Sequence, residues 1–401
     1  MDYSARYLSI KITFLIINFL SVYIFYFFSK KISHCISYRK AWKNAYPIIF
    51  AYSISMGLRF GREIDYNLYY ERYNEIGQNI TKSTYEPVFN VICWSLNQVG
   101  IPYWVFIWLC SIFVIYALMH LLINNYRPYT LYASLIFLFL AHDVELLIRY
   151  YLAFSFLILA FSYYKLRKIK ISITLVILSF GCHVGMAPVI LILICLMKVP
   201  KLILPAMVVQ ILFVINSLAG ETGILSFLAP YVQLFGLIDD RAASYADSFT
   251  DIINGDFGKI GKHDTIIYTR VIRNILQYSV PIFLAPLLVK KKIIGFLEAN
   301  IFYVGVILSP IFMQVEILNR ISSSILFFSI IVSGASYVYV FNHKNEFKPW
   351  QINFCRVSVF ASIWPVFSNI LSRDTWWHML YIWDAGNLNT LPLQYFLNEL
   401  N

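Results

Sequence analysis

Arg149 and Arg320 are the residues whose placement suits chemistry best, because each falls at the start of an apolar helical run on the same side of the chain's reading frame. Arg270 and Arg273 fall in the first turns of another such run, and Arg59 and Arg62 approach from the exit of a third. A helix N-terminus already favours an anion through its dipole and free N–H groups. Guanidinium forks add bidentate contacts to phosphate oxygens, so converging arginines suit a pyrophosphate. The competing reading is that these side chains reach out to ordinary lipid headgroups. His183, in the run SFGCHVGMAP, offers either a general base or a structural cap on a broken helix. Asp65 and Glu86 flank a tyrosine-rich stretch and are placed to orient or deprotonate a hydroxyl, while Tyr66, Tyr69 and Tyr70 offer rings that stack on sugar faces. Glu71, Arg72 and Glu75 read instead as a solvated face with local ion pairs.

The elements that must carry these residues are membrane helices. The chain has 401 residues, 59% hydrophobic and 13% charged, with mean hydropathy +0.66, whereas an ordinary soluble domain is about a quarter charged. Apolar runs of bilayer-spanning length recur from end to end and do not alternate as barrel strands do. The fold class is therefore all-α, a polytopic integral membrane protein of about twelve spans forming a single transmembrane domain over residues 1–401. Lys30, Lys31, Arg39, Lys40 and Lys43 mark the first cytoplasmic loop, and Lys165–Lys170, Lys198–Lys201 and Lys290–Lys292 mark later ones. That frame puts both termini outside, together with outer loops over residues 57–101 and 220–265 and a tail over 372–401. Gly57–Glu86 reads as an outer loop, Val88–Val99 as an interfacial piece too short to cross, and the run around His183 as two short helices meeting outside.

The formal charge of +11 and pI near 9.2 belong to cytoplasmic loops, so nucleic acid is excluded as a partner. Six cysteines without a CxxC pair read as small buried hydrophobes rather than a zinc site or disulfide framework. The first apolar run, Ile12 to Phe28, ends in Lys30-Lys31 without a small-residue cleavage site and reads as a retained span. Asp239-Asp240 points its two side chains apart, so no metal is assigned. Nucleotide and hydrolase motifs are missing from the sequence, and no cofactor is expected.

The segments RFGREIDYNLYY at 59–70, YEPVF at 85–89, IRYYLAFSF at 148–156, SFGCHVG at 179–185, RAASY at 241–245 and NRI at 319–321 stand in an order and spacing similar to those of the EpsG family of Wzy-type polysaccharide polymerases. Arg149-Tyr150 stands where the family has Arg-Gln, and its Gly-Asp is spread over Gly61 and Asp65. The resemblance implies a GT-C-like membrane glycosyltransferase of the bacterial cytoplasmic (inner) membrane, acting on the periplasmic side. The implied reaction transfers a chain carried on undecaprenyl pyrophosphate to the non-reducing end of a new lipid-linked repeat unit, giving O-antigen or exopolysaccharide. Arg149 and Arg320, then Arg62 and Arg241, would bind the pyrophosphate without a metal. Asp65, Glu86 or His183 would be the base, and Tyr66, Tyr69 and Tyr245 would contact sugar. A Wzz-type chain-length regulator and a flippase are the implied partners, besides membrane lipid.

Two other readings share these features. A lipid-linked oligosaccharide flippase would need a cationic cavity through both leaflets, whereas the arginines outside cytoplasmic loops gather on one face. An O-antigen ligase would use the same donor with a lipid A-core acceptor.

Overall fold

The computed structural model describes residues 3–61, 64–140, 147–219, 264–312, 316–373 and 379–384. Among them every regular element is a helix, and the only pairing of extended backbone is a single bridge between Arg59 and Tyr381. Among the described residues five helices are long and apolar enough to cross a bilayer: Arg6–His34, Tyr103–Asn125, Val271–Lys290, Leu318–Asn342 and Pro349–Leu371. Ile169–Cys182, Val184–Met197, Ala206–Leu218 and Phe296–Phe312 are shorter apolar helices. Helix surfaces that would be polar in water are greasy here: Ile16, Phe50, Ile177 and Leu191 are 60–63% exposed. Such apolar surface is what lipid chains cover.

The chain divides into two compact units, Met1–Ile190 with Ile363–Asn401, and Leu191–Ser362. In the first unit α1 (Tyr3–His34) pairs with α2 (Tyr38–Tyr52), which continues as a π-helical turn over Ser53–Gly57. Then follow α3 (Ile64–Gln78), α4 (Pro87–Gln98), α5 (Tyr103–Asn125), α6 (Thr130–Leu140), α7 (Ile148–Lys165), α8 (Ile169–Cys182) and the first residues of α9 (Ala187–Met197), which continues into the second unit. Hydroxyls and amides stitch these helices together. Ser21 donates to the Ala51 carbonyl, and Ser134 donates to Ser29 at 2.7 Å. Ser172 and Ser179 of α8 donate to the Ala160 and Ala153 carbonyls of α7, so the two helices run antiparallel. Phe113 of α5 meets Phe156 of α7, and His120 and Asn125 further along α5 meet Ser162 further along α7, so those two run parallel. Helices in lipid associate through such small, hydrogen-bonding side chains, since lipid is as apolar as leucine.

These contacts also assign ends. The start of α1, the ends of α2, α6 and α8, and the starts of α5 and α7 share one side; the loop at Cys35-Ile36, held by Arg127, lies on the other. The stretch expected as an outer loop is instead largely helical, because α3 has partners for its tyrosines. Tyr73 donates to the Ile101 carbonyl, Tyr103 donates to the Tyr66 carbonyl, and Gln98 donates to the Gly77 carbonyl. A side chain at Gly77 would come within 2.1 Å of the Asn97 amide, so α3 and α4 lie close here and a larger residue would have to displace that amide. Arg72 and Glu75 form the exposed pair expected of a solvated face.

The second unit contains α10 (Ala206–Ala219), α11 (Asp264–Lys290), α12 (Phe296–Phe312), α13 (Glu316–Phe327), α14 (Ser329–Asn342) and most of α15 (Pro349–Leu371). Pro281 and Pro286 lie inside α11, and each removes the N–H that would bond the carbonyl four residues earlier. Those carbonyls belong to Gln277 and Ile282. Tyr337 of α14 donates to the Gln277 carbonyl at 3.2 Å with Ser358 of α15 at 3.0 Å, and Tyr303 of α12 donates to the Ile282 carbonyl at 3.0 Å. A membrane helix tolerates proline when neighbours supply the missing donor, because no water can. Replacing Tyr337 by Phe should lower stability by about 0.5–1.5 kcal/mol, the usual net worth of one buried hydrogen bond, because Ser358 still donates to the Gln277 carbonyl. The loss should shrink when Pro281→Ala restores the helix's own N–H. Thermal unfolding of the four purified proteins in detergent measures this; an equal loss in both backgrounds refutes the account.

Candidate functional site

Pro87 opens α4, its ring suited to the first helical position where no N–H is needed. Glu86 is the residue before it, extended at φ −66° and ψ 148°, and its carbonyl receives the Asn90 N–H. Its side chain does not cap α4. It turns toward two other segments instead. One carboxylate oxygen accepts from the Arg149 guanidinium near the start of α7, and the other accepts from the Val184 N–H at 3.0 Å. The Glu86, Arg149 and His183 side chains are only 11–15% exposed, so the pair is shielded enough to be far stronger than a surface ion pair.

Arg149 also lies flat against Tyr85, its guanidinium carbon 4.2 Å from the ring centre, a cation–π contact. The Tyr85 ring is fixed in turn by Phe89 and Tyr69. Asn90, itself buried, holds the loop that carries Tyr85 and Glu86. Its Oδ1 accepts from Ser83 Oγ at 2.8 Å, its Nδ2 donates to the Tyr85 carbonyl at 2.8 Å, and Ser83 Oγ accepts from the Tyr85 N–H.

His183 ends α8 and caps the 3-10 turn Val184–Met186. Its Nδ1 accepts from the Gly185 N–H at 2.9 Å, which assigns the proton of the neutral ring to Nε2. The same Nδ1 lies 3.9 Å from the Glu86 carboxylate. In that tautomer two acceptors face each other across this gap, so it counts as an ion pair only when the ring is protonated. Tyr150 meets the imidazole edge-on, with centres 5.3 Å apart. Two glycines permit the approach: a side chain at Gly181 would sit 2.5 Å from Val88, and one at Gly185 would sit 2.8 Å from the imidazole.

Three of the expected site residues, Glu86, Arg149 and His183, thus converge from segments far apart in the chain. Tyr69 joins them at one remove through Tyr85. Tyr66 is placed differently. It is 3% exposed, between Phe60 and Tyr103, and burial drives its phenol far above the usual tyrosine range, so it stays protonated. Its ring serves the aromatic packing between α3 and α5, buried away from any sugar. Arg320 belongs to α13 in the second unit. Arg62, Arg241 and Tyr245 lie outside the described residues, and so does the Asp65 side chain, although α3 includes that position.

The sequence reasoning passed over Tyr85, Asn90, Tyr150 and the Val184 N–H. Pro87 was the available signal for the first two, since a proline-opened helix fixes the loop before it. Arg59 was expected at the helix exit and proves fully buried, donating to the Met56 carbonyl where residues 58–60 pair with 380–382. If Asn90 holds this loop, Asn90→Ala should cost about 1–3 kcal/mol of stability through two lost buried bonds. Asn90→Asp should cost at least as much, because a buried carboxylate oxygen would then face the Tyr85 carbonyl to which Nδ2 donates. Unfolding midpoints in detergent that are unchanged for both would remove Asn90 from this role.

The model of the EpsG family matches residues 44–377. No curated protein and no solved structure matches. The matched span includes Tyr85-Glu86, Arg149 and His183 and covers most of the chain beyond α1, and by that coverage the chain belongs to the EpsG family.

Proposed function

We propose that this protein is a Wzy-type polysaccharide polymerase. It joins undecaprenyl-pyrophosphate-linked oligosaccharides into O-antigen or exopolysaccharide on the periplasmic face of the bacterial inner membrane. The observation that carries the reading is the Glu86–Arg149–Val184 constellation. A guanidinium and a backbone N–H converge on one acidic group at the ends of α7 and α8 that share a side. Membership of the EpsG family, associated with polymerases of this kind, supports it. About twelve spans with both termini outside, in a GT-C-like arrangement, put that side at the periplasm.

The reaction breaks the bond between the anomeric carbon and the pyrophosphate and forms one from that carbon to the acceptor hydroxyl oxygen. The pyrophosphate leaves with the bonding pair, and the hydroxyl proton goes to a base. Arg149 and the Val184 N–H are the donors a leaving pyrophosphate would take, and their charge stabilisation is needed most as the bond breaks. When Arg149 turns to the pyrophosphate, Glu86 gives up its cation and becomes the proton acceptor. His183, whose Nδ1 is committed to Gly185, presents Nε2–H as a donor to a sugar oxygen. Asp65, Arg62, Arg241 and Tyr245 are proposed as further contributors, and Arg320 as a pyrophosphate-binding residue of the second unit. The reaction uses no metal in this reading, and Wzz-type and flippase partners are those the pathway class would supply.

The test is a polysaccharide gel from cells in which the gene is deleted and restored. Restoring the wild type should return long chains from single repeats. Arg149→Ala should cut chain formation at least about a hundredfold at equal membrane levels, the usual cost of losing one charge-stabilising donor. Arg149→Lys should recover part of it. A normal ladder from Arg149→Ala ends the leaving-group assignment. Deletion that removes even the single repeat ends the polymerase reading.

A further inference from the structure

A second polar pocket lies in the first unit, walled by α1, the π-helical turn, the end of α6 and the end of α15. Its volume is about 50 Å³, several times the space a single water needs. Phe14, Val22, Met56, Leu138, Val366 and Ile370 make its apolar wall. Asn18, Ser21, Ser55, Asn369 and Arg373 supply polar groups, and no acidic side chain lines it among the described residues.

Its depth follows from α1. Phe14, which Arg373 faces, stands 16 residues before Lys30, the first charged residue at the end on the Cys35–Arg127 side, which at 1.5 Å per residue is about 24 Å. With an apolar slab about 30 Å thick, the pocket sits in the half of the membrane that also holds the Glu86–Arg149 site. The π-turn is a reason for its existence. The wide turn over Ser53–Gly57 interrupts the α-helical hydrogen bonding and delivers Ser55 and Met56 to the pocket, and such turns recur at functional sites. Asn18 is pinned, its Nδ2 donating to the Phe14 carbonyl and to Tyr381 at 3.2 Å. Arg373, just past α15, stands with its guanidinium carbon 5.8 Å from the Phe14 ring centre.

A cation and amides set in an apolar wall at this depth suit the phosphate of an amphiphile whose chain runs down between helices. We infer that this pocket binds the phosphate of a second isoprenoid-carried substrate, so that the first unit holds one lipid carrier at Arg149 and another at Arg373. The inference rests on the polymerase reading, which needs a donor and an acceptor that are both lipid-linked. An ordinary anionic phospholipid offers the same phosphate chemistry. An arginine beyond a helix C-terminus also suits the helix dipole without any ligand.

The experiment counts bound lipid on the full chain. The protein is placed in phosphatidylcholine nanodiscs doped with undecaprenyl pyrophosphate and released into a native mass spectrometer. The wild type should carry two undecaprenyl pyrophosphates. Arg149→Ala and Arg373→Ala should each carry one, and the double variant none. Asn369→Asp, which adds a carboxylate to the pocket at little structural cost, should weaken the second binding at least tenfold. This keeps the test sharp if Arg373→Ala fails to fold. Two carriers still held by both pocket variants overturn the inference. Equal displacement by a tenfold excess of phosphatidylglycerol also overturns it, because the pocket is then an ordinary lipid site. One carrier on the wild type, lost in Arg149→Ala, overturns the second site and leaves the polymerase reading standing. None on the wild type overturns both.

Discussion

The bond between Glu86 and Arg149 is the interaction on which the first unit depends at the start of α7 and the end of α8. It ties the loop before α4 to the start of α7, and through the Val184 N–H it ties both to the turn after α8. Two charges taken out of water cost several kcal/mol each, and only close mutual contact with further hydrogen bonds repays that. The arrangement meets the condition: the carboxylate uses both oxygens, and the guanidinium rests on Tyr85. Removing one partner from such a pair typically costs about 3–5 kcal/mol because the other charge is stranded. A site built this way is stable when empty of ligand, and it changes only for a ligand that offers Arg149 a better anion than Glu86. A pyrophosphate is such an anion.

The same scarcity of water governs the helices below. Each proline in the middle of α11 frees a carbonyl, and a tyrosine hydroxyl from a neighbouring helix closes each one. Ser172 and Ser179 on α8, and Ser162 on α7, do comparable work in the first unit. Hydrophobic burial cannot hold helices together in lipid, so specificity falls to these polar pairs and to close contacts such as Gly305 of α12 against Leu326 of α13, where a side chain would come within 2.9 Å of backbone. A frame stapled this way holds the starts of α5 and α7 and the end of α8 in register, which is what lets three distant side chains meet.

A polymerase of lipid-linked chains must hold a charged headgroup at the membrane boundary while admitting its tail from the side. The Glu86–Arg149 site and the Arg373 pocket both combine a cation with an apolar surround, and both lie on the side reached by the start of α1. Family membership rests on the match along the chain, whereas the Glu86 site rests on the donors that face one carboxylate.

Composition and hydropathy by themselves determined that this is a helical membrane protein, because too few charges exist to cover a soluble surface of this size. They also placed the break at His183, because the apolar run there is too long for one span and its centre carries glycines and a histidine. The choice of Glu86, Arg149 and His183 as candidates was legible for a related reason: an ionisable residue in an apolar chain is too costly to be idle. Only the tertiary structure decided that these three meet, that Tyr66 turns inward while Tyr85 carries the guanidinium, and that the tyrosine-rich stretch is a helix and not a loop. Those outcomes depend on which faces of separate helices touch. A one-residue turn of 100° moves a side chain from lipid to interior without altering composition or hydropathy, so no pattern along the chain records it.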